Sequence, residues 1–129
     1  MNTSTENTPD IEIYAQQIKL EYIIEWLTST FDNLRETSSR NKQHQYIATW
    51  KTELMPILIL EAVSDGYTSI WIDSPQSPWT NDIECARDAF KILQTEIRCI
   101  KGSWDSSEDP DLWWSISEKG ENSVIWKTQ

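Results

Sequence analysis

Ile57-Leu58-Ile59-Leu60-Glu61-Ala62-Val63 and Thr68-Ser69-Ile70-Trp71-Ile72 flank the dipeptide Asp65-Gly66, and this stretch decides the fold. Apolar and β-branched side chains fill both arms, and Asp-Gly accepts the positive φ of a tight turn, so the segment reads as a β-hairpin. Ile57 to Leu60 is apolar at every position, as in a strand covered on both faces, which places the hairpin near the middle of a sheet. Pro56 has no N–H for a ladder and is expected to precede its first strand.

Outward from the hairpin, Gln45 to Thr52 carries Tyr46, Ile47, Thr49 and Trp50 and reads as another strand. Before it, Leu20, Ile23, Ile24, Leu27, Phe31 and Leu34 recur at intervals of three and four, the apolar face of a helix. That helix is expected to end by Thr37-Ser38-Ser39, whose side chains compete for backbone bonds. Ile11 to Ile18 begins with strict alternation and reads as the first strand. Downstream, Ser74-Pro75-Gln76-Ser77-Pro78 is a turn-rich connection. Asn81 with Glu84 three residues on forms a capping box for a second helix, whose inner face is Ile83, Ala86, Ala89, Phe90 and Leu93. Glu96 to Lys101 is a short strand, and Leu112–Ser117 with Ser123–Lys127 forms a terminal hairpin around Lys119-Gly120.

The order β-α-β-β-β-α-β-β-β predicts an α+β fold, a single mainly antiparallel sheet with two helices packed on one face. The pattern resembles the ferredoxin-like, split βαβ arrangement with an extra C-terminal hairpin; the likeness is one of element order alone. A chain of 129 residues suits a single domain, taken here as 11–129, after a polar leader, residues 1–10, expected to be disordered.

Eight Trp and an apolar content of 38% are enough to build a core. The first residues carry neither the basic nor the apolar segment of a secretory signal, and no apolar run has the length of a membrane helix, so a cytoplasmic protein without a membrane role is expected. Cys85 and Cys99 lack the spacing of a zinc site or disulfide scaffold and are read as reduced packing residues. Eleven Lys and Arg against 21 Asp and Glu give a net charge of −10, which repels a phosphate backbone and disfavours nucleic-acid binding. The acidity gathers at the ends: the first 40 and the last 25 residues each sum to −4.

Motifs for chemistry are sparse. Three glycines are too few for phosphate-cradling loops. His44 is the single histidine, set in the polar run Asn41-Lys42-Gln43-His44-Gln45, and reads as a solvated residue without a nucleophile motif beside it. Asp105-Ser106-Ser107-Glu108-Asp109-Pro110-Asp111 concentrates carboxylates but lacks the central glycine and distal glutamate of an EF-hand, so it reads as a solvated loop. No catalytic residue, metal or cofactor is expected, and a carboxylate-pair hydrolase ranks last among the function classes.

Tryptophan placement is the distinctive feature. Alternation puts Trp71 opposite Ile70 and Ile72, Trp113 opposite Trp114 and Ile116, and Tyr14 opposite Ile11 and Ile13. With helices over the Ile-rich side, Tyr14, Trp71 and Trp113 share the open side. There they are either covered by the chain's own loops, Ser74–Trp79 or Gly102–Pro110, or form a binding surface. The expected function is protein–protein binding through these three residues, either as a homodimer or by immunity-like capture of a basic partner. The alternative is a small-ligand or sugar site using aromatic side chains, with Trp79 beside Asn81 and Trp104 beside Asp105 as candidates.

Overall fold

In the computed structural model, residues 10–100 and 109–127 are described. The expected leader apart from Asp10, together with Trp104 and residues 105–108 of the acidic loop, lies outside the described residues. The elements are β1 (Ile11–Gln16), α1 (Leu20–Thr30), β2 (Asn33–Arg40), β3 (Gln43–Trp50), β4 (Glu53–Ser64), β5 (Tyr67–Ile72), α2 (Asp82–Leu93), β6 (Ile97–Cys99), β7 (Leu112–Ser117) and β8 (Gly120–Ile125). The eight strands form one sheet in the order β2-β3-β4-β5-β1-β6-β7-β8, and every neighbouring pair is antiparallel. The fold is α+β. It departs from the split βαβ pattern, because β1 lies between β5 and β6 and is antiparallel to both, so no parallel crossover pair is formed.

The β4–β5 hairpin forms as its sequence dictates: Asp65 and Gly66 adopt φ of 50° and 82°, and Ser64 faces Tyr67 across the turn. β4 is longer than expected and runs through Pro56. The proline sits one residue beyond the end of β5, where its carbonyl accepts a 2.9 Å bond from Asp73 N–H and its missing donor falls opposite the exposed Asp73 at the end of the ladder.

α1 ends four residues before Leu34. The hydroxyls of Ser29 and Thr30 both donate to the Trp26 carbonyl, at 2.8 and 3.0 Å, and Phe31 turns extended. Asp32 N–H then donates to Thr49 and opens the β2–β3 ladder, so Thr37-Ser38-Ser39 is strand rather than helix terminus. β2 carries no alternating apolar signal because, as an edge strand exposed on both faces except at Leu34, it buries nothing that would require one. β3 ends at Trp50, earlier than expected, in a turn where Lys51 and Thr52 take φ of 49° and 70°. β8 begins at Gly120, with φ of 109°, and ends before Trp126.

α2 starts as its capping box predicts, with Asn81 Oδ1 accepting from Glu84 N–H at 2.9 Å. Cys85, Ala86, Ala89 and Leu93 of α2 and Ile23, Trp26 and Leu27 of α1 join one core with Ile11, Ile13, Ile57, Ile59, Ile70 and Ile72. Register aligns these isoleucines across the sheet, Ile11–Ile72–Ile57 and Ile13–Ile70–Ile59, so they share the face that both helices cover. Trp79 lies in this core, 5.6 Å from Trp26 and 5.9 Å from Phe31 between ring centres. It is thus neither a cover for the open face nor a rim residue of a ligand site.

Candidate functional site

Across the sheet from the helices, the open face divides into two regions. Tyr14 and Trp113 meet in the first, edge to face with centroids 5.3 Å apart. Trp126, which follows β8, folds back over them: its ring lies 5.5 Å from Tyr14, 5.0 Å from Trp113 and 4.7 Å from Tyr67. Its N–H donates to the Asp111 carbonyl at 2.8 Å and its indole Nε1 to Asp65 at 2.7 Å, which fixes the last described turn of chain on the sheet. Arg98 stacks on Tyr67 and Trp126, its Cζ 4.8 and 4.9 Å from the two rings. Glu96 collects the hydrogen bonds of this cluster, from Tyr67 OH at 2.8 Å, Arg98 Nε at 2.9 Å and Ser115 Oγ at 2.5 Å. Burial pushes the Glu96 carboxyl up, but the three donors outweigh it and hold it below the ordinary glutamate value. Burial, then the Glu12 carboxylate, pushes the Tyr14 hydroxyl up to about 12. Trp126 is only 5% exposed. The first region is therefore closed by the chain itself.

The second region is built by β3, β4 and β5. Leu54, Pro56, Leu58 and Leu60 alternate with Met55, Ile57 and Ile59, so β4 turns an apolar row to the outside as well as to the core. Ile47 of β3 stands opposite Pro56, and Trp71 of β5 opposite Leu58, on this outer row. Leu54 is 68% exposed. A shallow groove of about 220 Å³ runs among Ile47, Pro56, Leu58, Trp71, Thr37 and Asp73. Carboxylates gather at the Trp71 end: Asp10 accepts from Trp71 Nε1, Glu12 is the cross-strand neighbour of Trp71, and Asp73 lines the groove. Arg35 faces Ile47 from the edge strand.

Alternation places Tyr14, Trp71 and Trp113 on the open face, yet only Tyr14 and Trp113 come together. Strands β1 and β6 separate Trp71 from Trp113, a span of about 14 Å at the usual strand spacing. Leu54, Leu58 and Ile47 complete the region around Trp71. Their signal was present in the unbroken apolar run of β4, which reads as double burial until the strand's outer cover is sought. Tyr67, Arg98 and Trp126 were not singled out, because only the strand order brings them beside Tyr14.

His44 contradicts its polar setting. It is 5% exposed and bridges Ser39, with Oγ 2.7 Å from Nδ1, and Glu61, with Oε2 2.6 Å from Nε2. Among the described residues, no group of three His, Cys, Asp or Glu side chains is placed to hold a metal ion, and no helix is long and apolar enough to cross a membrane. Cys85 and Cys99 are both buried and free. No family model, curated protein or solved structure matches the chain.

Proposed function

We propose that the protein works by binding a cationic protein partner through the outer face of β3, β4 and β5, with Trp71 and Leu58 as anchors. The observation that carries this is the outward row Leu54, Pro56, Leu58 and Leu60: a solvated strand face alternates to polar residues, and this one does not. Charge selects the partner. The chain carries −10, and Asp10, Glu12 and Asp73 surround the Trp71 end of the groove, so a basic surface is attracted and a second copy of the chain repelled. Trp71 supplies a large, half-buried ring with an apolar neighbour, the composition of interface hot spots. Trp113 and Tyr14, already engaged by Trp126 in the closed first region, are not anchors of this site. A reducing, cytoplasmic setting belongs to the same proposal, in keeping with the two free thiols.

A test is selection of displayed peptides on the immobilised protein with counter-selection on Leu58→Asp. The binding reading expects peptides with several Lys or Arg around a bulky apolar residue, whose affinity falls as salt rises. Peptides enriched equally on both proteins, or acidic peptides, would overturn it. A wild type that sediments as a dimer and a monomeric Leu58→Asp would replace the cationic partner with a second copy.

A further inference from the structure

We propose that Ser39 is an activated nucleophile that takes the acyl group of small, unhindered carboxylic esters. Ser39 Oγ, His44 and Glu61 form a continuous hydrogen-bonded chain at 2.7 and 2.6 Å. The neutral imidazole with its proton on Nε2 satisfies both contacts: Nε2–H donates to Glu61, and the lone pair of Nδ1 accepts from the serine hydroxyl. That is the state in which a histidine acts as a general base, oriented by a carboxylate on its far nitrogen. The two ring nitrogens exchange the places they hold in most serine hydrolases, while the order of nucleophile, base and carboxylate is kept.

Burial is greatest at the base and least at the nucleophile. The His44 ring is shielded, Glu61 is half-buried, and Ser39 is exposed on the outermost strand where a reagent can reach it. The backbone supplies an oxyanion donor. Glu61 N–H donates to the Lys42 carbonyl at 2.8 Å, which makes Gln43–Leu60 the non-hydrogen-bonded pair of β3 and β4 and His44–Ile59 the hydrogen-bonded one. The N–H and C=O of His44 therefore face β4. Ser39, its partner in β2, belongs to a non-hydrogen-bonded pair in turn, and its own N–H points outward from the sheet edge. Non-hydrogen-bonded pairs bring side chains closest, which accounts for the short Ser39–His44 contact. Ser39 is exposed on an edge strand, so a small, unhindered ester reaches its hydroxyl without having to enter a pocket.

In the step itself, Ser39 Oγ bonds to the ester carbonyl carbon as its proton passes to His44 Nδ1. The carbon–oxygen bond to the alcohol then breaks, and the leaving oxygen takes that proton. Water, deprotonated by the same nitrogen, releases the carboxylic acid and restores the serine. Glu61 is the positioning residue, since it touches the imidazole and not the ester. The Ser39–His44 pair lies on the helix-side face of the sheet, so this site is independent of the proposed partner surface.

The test is acylation by p-nitrophenyl acetate, followed by nitrophenolate release and intact mass with peptide mapping. Wild type should gain one acetyl on Ser39, and Ser39→Ala should gain none there. His44→Gln, folded by circular dichroism, should acylate about 100-fold more slowly, the usual contribution of a general base. Glu61→Gln keeps a hydrogen-bond acceptor but loses the charge and should slow Ser39 acylation without changing the melting temperature. Acetylation confined to lysines, Ser39 labelling no faster than Ser38, or folded His44→Gln acylating at the wild-type rate would each overturn the proposal. Ser39 is exposed, so Ser39→Ala keeps the fold and decides the matter even if His44→Gln does not.

Discussion

Replacing Trp126 with alanine removes the ring that closes one half of the open face. Its side chain is 5% exposed and touches Tyr14, Tyr67, Trp113 and Arg98, and its indole N–H donates to Asp65. Burying a side chain of this size removes about 200 Å² from water, which at about 25 cal/mol/Å² is about 5 kcal/mol. Water can enter the space left at the sheet surface, so the low end of the usual Trp→Ala range, about 3 kcal/mol, is expected. For a chain of this length that corresponds to a fall in melting temperature of about 10–15 °C. Trp126→Phe keeps ring contacts but loses the bond to Asp65 and should recover about half of the loss. Calorimetry and near-ultraviolet circular dichroism on both variants would measure this. A Trp126→Ala protein that melts within about 2 °C of wild type would refute the claim that the C-terminal segment locks the first region.

Further outcomes follow from other residues. Burial, followed by the Glu12 and Asp10 carboxylates, raises Asp82 from 3.8 to about 7, so between those values the folded chain binds more protons than the unfolded one and stability falls as pH rises. The whole shift would amount to about 4 kcal/mol, but partial exposure and the start of α2, which favours an anion, reduce the expected gain of Asp82→Asn at pH 8 to about 1–2 kcal/mol. Urea midpoints at pH 5 and pH 8 check this: the gain should shrink at pH 5. Burial pushes the Cys85 thiol well up and Cys99 up to about 12, so neither should react with a thiol reagent at pH 8 until the chain unfolds, and fast native labelling would contradict their burial. Lys51→Asn with Thr52→Gly, at a turn with φ of 49° and 70°, should raise stability by about 1 kcal/mol in a urea titration.

Local rules made much of the fold legible. Asp65-Gly66 predicted its turn, Asn81 and Glu84 predicted the start of α2, and two-residue alternation assigned Tyr14, Trp71 and Trp113 to the face away from the isoleucines. Features that depend on pairing were not legible. β2 has no apolar period because it buries almost nothing, so Leu34 joined the helical pattern by its spacing alone. Strand order separates Trp71 from Trp113 and brings Trp126 and Arg98 to Tyr14, and no local pattern encodes that order. His44 looked solvated because its neighbours in sequence are polar; its partners, Ser39 and Glu61, come from the strands on either side.

The central claim is that the outward apolar row of β4 binds a partner and does not serve the core. The most direct measurement is the dissociation constant of a selected basic peptide for wild type and for Trp71→Ala, both shown by melting to be folded. Loss of a central anchor should cost about 2 kcal/mol, a roughly 30-fold weaker complex, with the melting temperature lowered by only a few degrees. Equal affinity of the two proteins for that peptide would contradict the claim.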